Sequence, residues 1–157
     1  MRKRKPKVRI IEPDPRFGDV MITQFVNNLM WKGKKSTAFE IFYNAMDLIK
    51  SRIGDEMTEH EVFKKAINNA MPQVEVRSRR IGGATFQIPN EIRGNRILSI
   101  GLTWLVEFAR QRSGKGMAEK LSAELLAASR NEGLAVKRKE DTHKMAESNR
   151  AFAHYGR

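Results

Sequence analysis

The sequence predicts a mainly α-helical single domain: six helices, a projecting two-stranded β-hairpin between the third and fourth, and a basic N-terminal arm. Three observations predict it. Apolar residues recur at helical spacing in successive segments, each bounded by glycine, proline or a capping residue. One stretch, VEVRSRRIGGATFQIP from Val74 to Pro89, alternates instead with period two around a Gly-Gly pair. The first residues, MRKRKPKVRIIEPDP, are basic and proline-closed with no apolar periodicity. The arm is expected over residues 1–16 and the helical domain over 17–157, with the hairpin at about 73–89.

Taken in order, Asp19 is a good N-cap for the first helix, whose core face is Ile22, Phe25, Val26, Leu29 and Met30. Trp31-Lys32-Gly33-Lys34-Lys35 breaks the pattern, and Ser36 or Thr37 is expected to cap the second helix. Thr37 and Glu40 have capping-box spacing there. Ile41, Ala45, Leu48 and Ile49 are its expected buried stripe, and Gly54 its end. Thr58 and Glu61 predict a second capping box, opening a third helix that buries Val62, Phe63, Ala66, Ile67 and Ala70. Pro72 stops it. Gly82-Gly83 suits a two-residue hairpin turn. Strand alternation puts Val74 and Val76 on one face and Glu75, Arg77 and Arg79 on the other.

Asn90 is expected to cap the fourth helix. From Ile97 to Phe108 that helix reads as apolar nearly all round, which marks a central, buried element with Trp104 in the core. A basic loop, Arg110 to Gly116, leads to a fifth helix carrying Leu121, Leu125 and Ala128, with Gly133 at or after its end. The last segment, LAVKRKEDTHKMAESNRAFAHY, is helix-prone. Its apolar positions (Val136, Met145, Ala146, Phe152) are sparse, so it is expected to pack loosely or against a partner.

Lysine and arginine number 30 against 18 acids, a net charge of +12. Such an excess speaks to polyanionic partners rather than to fold. Its distribution is specific: the bases fill the arm, the Lys32–Lys35 loop, the hairpin tip, the turn with Arg93 and Arg96, and the Arg110–Lys115 loop. The acids lie mostly on helices, as at Glu40, Asp47, Glu61, Glu119 and Glu124. Loops and ribbon can then form one phosphate-binding surface, with Trp31, Phe86 and Tyr155 as candidates for base stacking. The plainer reading of the hairpin is an edge whose arginines block strand-to-strand aggregation.

Enzyme chemistry finds no support in the residues. Gly114-Lys115-Gly116 is not a phosphate loop, which needs glycine where Ala109 stands and a hydroxyl where Gly116 stands. His60, His143 and His154 are too scattered for a metal site, and no nucleophile has a partner. No cofactor is implied. With no cysteine in the chain, disulfides and thiolate sites are excluded. No apolar run is long enough to span a membrane.

Three long motifs carry a resemblance: DVMITQFVNNLMWKGKKSTAFEIFYNA (Asp19–Ala45), RRIGGATFQIP in the hairpin, and KRKEDTHKMAESNRAFAHY near the C-terminus. In this order, over nearly the whole chain, they resemble the bacterial form of the seventh protein of the small ribosomal subunit. The resemblance implies a non-catalytic, cytoplasmic protein that binds the 3′ major domain of small-subunit rRNA and nucleates assembly of the head. It implies a place at the subunit interface near exit-site tRNA and the mRNA path, with the ninth and eleventh small-subunit proteins as neighbours. Some bacterial members also repress their own operon.

Carried onto this chain, the rRNA contacts are expected from Arg2, Lys3, Arg4, Lys5 and Lys7 in the arm. They are expected too from Lys32, Gly33, Lys34, Lys35 and Ser36, from Arg93 and Arg96, and from Arg110, Arg112, Ser113 and Lys115. The ribbon residues Arg77, Arg79, Arg80, Gly82 and Gly83 would border rRNA and tRNA. Lys137, Arg138, His143, Arg150, His154 and Tyr155 would meet RNA or protein at the C-terminus. The chain departs from the family's usual residues at Phe86 (often Tyr), Thr103 (often basic), Gly94-Asn95 (often a proline turn) and Gly156-Arg157 (often Arg-Trp). The alternative is a helical DNA-binding or nucleoid protein, which would need a recognition helix with an exposed basic and amide face.

Overall fold

A computed structural model describes residues 9–54 and 57–156. The chain runs α1 (Val20–Leu29), α2 (Lys35–Ile53), α3 (Glu59–Ala70), β1 (Val74–Ile81), β2 (Ala84–Glu91), α4 (Gly94–Gln111), α5 (Met117–Ser129) and α6 (Leu134–Ser148), then a 3₁₀ helix over Arg150–Gly156. This is the expected helical architecture with one antiparallel hairpin between α3 and α4.

Local chemistry sets most boundaries. The Asp19 carboxylate accepts the Met21 N–H at 2.8 Å and opens α1. Thr58 and Glu61 close a full capping box at α3, the Glu61 N–H donating to Thr58 Oγ1 and the Thr58 N–H to Glu61 Oε2. α2 differs from expectation. Lys34 and Lys35 close tight turns onto the carbonyls of Trp31 and Gly33, so the helix starts at Lys35 with Lys34 as N-cap and no side-chain cap. Ser36 and Thr37 therefore sit inside the first turn, and the Thr37–Glu40 box does not form. Its buried stripe is Ala38, Phe42, Ala45, Met46 and Ile49, with Ile41 and Leu48 half-buried at its margin.

The core begins as a triad of phenylalanines from three helices. Phe25, Phe42 and Phe63 lie with ring centroids 5.3–5.7 Å apart, two of the pairs edge-to-face. Onto this pack Leu102, Leu105 and Val106 of α4 and Leu121, Leu125 and Ala128 of α5. The central helix is α5, which touches α2, α3, α4 and α6. α4 is not apolar all round: Ser99, Thr103 and Glu107 form an exposed stripe at i, i+4, i+8, and Trp104 is half-buried at its flank. α5 takes the middle because its small residues, Ser122 and Ala128, admit neighbours closely. Gly101 does the same on α4, where a Cβ would meet Met71 Cγ at 2.9 Å.

The hairpin runs two residues further than its Pro89 signal. Val74 pairs with Glu91, Val76 with Pro89 and Ile81 with Ala84, around Gly82-Gly83, both at positive φ as a type I′ turn requires. Asn90 lies inside β2, and α4 starts instead after Arg93, which provides no side-chain cap. Pro89 is tolerated because this outer strand needs no continuous N–H ladder.

The C-terminal segment packs more firmly than its composition suggests. α6 starts from Gly133, buries Ala135, Val136, Thr142 and Ala146, and supports β1. The 3₁₀ helix then lies along β2, where Phe152 meets Phe86 at 5.1 Å between centroids. Sparse apolar residues suffice because the ribbon itself is their partner.

Candidate nucleic-acid interface

The basic α1–α2 loop and the last turn of α4, distant in sequence, meet at one groove. Lys32 and Gly33 adopt positive φ (51° and 76°), turning the chain sharply after α1 and leaving Lys32 to Ser36 exposed. Trp31, 66% exposed, lies under the Arg110 guanidinium, 4.8 Å from ring centroid to Cζ. Arg110 also donates to the Leu29 carbonyl at 3.1 Å, which fixes its position. Together with Lys34, Thr37 and Met117 they line an open groove of about 380 Å³. A large exposed aromatic held against a cation, with lysines at the rim, is a stacking platform beside phosphate-binding charge.

The neighbouring loop is divided in role. Ser113 and Lys115 are exposed. Arg112 instead pairs with Glu124, which is fully buried and also accepts the Ala135 N–H at 3.0 Å. Arg112 thus supports the start of α6 while part of its guanidinium remains accessible.

At the ribbon base, Arg77, Arg93 and Arg96 gather around Glu75 and Glu91. Arg77 and Arg96 both pair with Glu75, Arg96 Nη2 at 2.9 Å. Burial works to raise the Glu75 pKa, but the two guanidiniums outweigh it and hold the carboxyl below its ordinary value. Three arginines against two carboxylates leave a weaker positive field here than the residue count suggests. Arg79 stands opposite Phe86 in the register and donates to the Tyr155 carbonyl, so the arginine face is partly covered by the chain's own C-terminal 3₁₀ helix. Arg80 and the Gly82-Gly83 tip are exposed.

On α6, Lys137 and Arg138 are exposed, and His143 Nε2 accepts the Gln73 N–H at 3.1 Å, tying the helix to the ribbon base. Arg150 lines the same crevice as His143. The His154 and Tyr155 rings lie with centroids 3.9 Å apart, tilted by 41°. Arg2, Lys3, Arg4, Lys5 and Lys7, with Arg157, lie outside the described residues. Phe86 is engaged by Phe152, and the Thr103 hydroxyl donates to the Ser99 carbonyl. The sequence reading missed the anchor below the arm. Buried Asp14 accepts the Arg16 and Phe17 N–H groups and the Tyr43 hydroxyl, while Arg16 pairs with Asp47 at 2.6 Å. Its signal was Asp-Pro-Arg, a turn sequence.

Comparison with known proteins bears on this arrangement. The family described as ribosomal protein S7p/S5e matches residues 1–150. The chain belongs to the S7p/S5e family of ribosomal proteins. It is a family without catalytic activity. Similar S7-family members, each called small ribosomal subunit protein uS7, come from Parabacteroides distasonis (59% identical), Flavobacterium johnsoniae (57%) and Bacteroides fragilis (56%). Each alignment covers 99% of both chains. The first of the three motifs, Asp19–Ala45, spans α1, the basic loop and part of α2, which together form one wall of the Trp31–Arg110 groove.

Proposed function

We propose that this protein is a structural component of the small subunit of the cytoplasmic ribosome, binding rRNA of the 3′ major domain and nucleating assembly of the head. In this reading it lies near exit-site tRNA and the mRNA path, beside the ninth and eleventh small-subunit proteins. Support comes from the relatives' common name and from one observation above all: Trp31 and Lys34 of the α1–α2 loop and Arg110 at the end of α4 converge on one groove. The exposed Ser99, Thr103 and Glu107 stripe of α4 carries an acid and no base, so that stripe offers the DNA-reading alternative no basic face.

The mechanism is multipoint anchoring: loops, ribbon and arm each engage different rRNA segments, and the helical bundle fixes their spacing. Six phosphate contacts would cost roughly a thousandfold in affinity between 50 and 200 mM salt. Filter binding to a 3′ major domain transcript, with bulk tRNA and duplex DNA as competitors at two salt concentrations, tests it. Preference for the rRNA that survives moderate salt is the expected result. Equal binding to all three, lost together with salt, would reduce the protein to a generic polycation.

A further inference from the structure

A carboxylate buried outside the hydrophobic core marks the point where the N-terminal arm joins the bundle. Asp14, only 1% exposed, accepts the N–H groups of Arg16 and Phe17 at 3.0 and 2.9 Å and the Tyr43 hydroxyl at 2.6 Å. Its backbone closes a tight loop with the residues that follow. The Asp14 N–H donates to the Asp19 carbonyl at 3.3 Å, and the Gly18 N–H donates to the Asp14 carbonyl at 2.8 Å. Gly18 turns the chain inside this loop at a φ of 65°. Two helices hold the loop from outside: Arg16 pairs with Asp47 of α2 at 2.6 Å, and the Phe17 ring stacks on His60 of α3 at 5.6 Å.

The loop reverses the chain. Ile11, just before it, lies in a groove beside Gln24, Asn27 and Asn28 of α1. Those residues stand about 6 to 12 Å along the helix from Val20. The chain ahead of Asp14 therefore runs back beside α1, toward the end at which the Lys32–Lys35 loop begins. Helix α1 has its own cap in Asp19, and Asp14 is no part of the hydrophobic core. A carboxylate taken out of water is costly unless it is fully bonded. Every bond this one makes fixes the turn.

We infer that Asp14 and Tyr43 form a positioning clasp for the arm. The clasp sets the direction in which residues 9–13 leave the bundle, and so brings the arm to the same end of α1 as the Lys32–Lys35 loop. Neither residue touches a partner. Their contribution is to preorganisation: a chain already directed loses less freedom on binding than one that must be ordered at that moment. Arg16, which the sequence groups with the arm, is held by Asp47 and belongs to the clasp. The use of the clasp rests on the rRNA-binding reading, whereas the direction of the arm is a property of the free protein.

The chain has no cysteine, so nitroxide labels on Arg9→Cys/Lys34→Cys report a single distance by pulsed electron spin resonance in the free, full-length protein. With the clasp intact the distance distribution is expected to be narrow. Asp14→Ala should broaden it, as should Tyr43→Phe, which keeps the aromatic ring and removes only the hydroxyl. Thermal unfolding checks that each variant is folded at the assay temperature. In unlabelled protein, either substitution should weaken binding to the 3′ major domain transcript by about 5- to 30-fold, what re-ordering roughly one residue's backbone costs, with the salt slope unchanged. In a full-length chain carrying Lys3→Ala/Arg4→Ala/Lys5→Ala, the same substitutions should change affinity by less than about twofold, because the clasp then has no charge to place. A broad distribution in the parent, or a narrow one that survives both substitutions, overturns the inference. So does an affinity loss that is the same with the arm neutralised, since the effect then comes through the bundle. The rRNA reading stands in each of these cases. If the parent fails to prefer the rRNA, that reading falls and the distances alone decide the clasp.

Discussion

Arg110 and Arg112 are two residues apart and have opposite fates. Arg110 lies over Trp31 at the mouth of the groove, while Arg112 is bound to the buried Glu124. Arg110→Ala is therefore expected to spare folding and reduce rRNA affinity, lowering the salt slope by about 0.7–0.9 for one lost phosphate contact. Trp31 fluorescence, no longer under a guanidinium, should shift in the free protein and report the change directly. Arg112→Ala leaves a carboxylate buried with only the Ala135 N–H, and should cost roughly 3 kcal/mol of stability. Denaturant unfolding distinguishes the two. If Arg112→Ala is as stable as the parent and binds less RNA, its place is in the interface. Both arginines were legible in sequence as one basic loop; their division was not, because Glu124 comes from the helix that follows.

At the scale of elements, the ribbon is a supported structure with two props, α6 under β1 and the 3₁₀ helix along β2. An isolated two-stranded hairpin is marginal in water. Phe152→Ala removes the ring against Phe86 without touching the bundle core. Amide hydrogen exchange in β2 should accelerate severalfold while the global unfolding transition moves little. A matched fall in both would make the tail part of the core. Boundaries with side-chain chemistry of their own were readable in advance: Asp19, the Thr58–Glu61 box, Gly82-Gly83. Those set by the chain around them were not. The start of α2 follows from two backbone turns, and β2 continues past Pro89 because register, not propensity, carries it to Glu91. A high apolar content in α4 carries no phase, so the exposed stripe of Ser99, Thr103 and Glu107 does not stand out in the sequence.

For the whole molecule, pH separates two anchors of the bundle. Burial tends to raise the Asp19 pKa, but the Met21 N–H, His60 at 2.9 Å and Lys64 together bring it below its ordinary value of 3.8. Its folded pKa is below its unfolded one, so its stabilisation is full above the unfolded value and is lost as pH falls through the folded one. Asp19→Asn should accordingly flatten the acid limb of the stability curve below about pH 4. Tyr43 runs the other way. Burial and its bond to Asp14 push the phenol up to about 12 from 10. Its stabilisation is present below pH 10 and lost as pH rises toward 12, and Tyr43→Phe should remove that alkaline limb. Equilibrium denaturation across pH measures both, and an unchanged limb in either variant would refute that anchor. The tail also imposes an order in time. Tyr155, whose carbonyl receives Arg79, is made 76 residues after it. At about 5–20 residues per second, the newly made ribbon waits roughly 4 to 15 s for its second prop. Through that interval its strand edges are open to other nascent chains, and mutual repulsion among Arg77, Arg79 and Arg80 is what keeps them apart. The charge that suits the finished ribbon for RNA is thus also its guardian during synthesis.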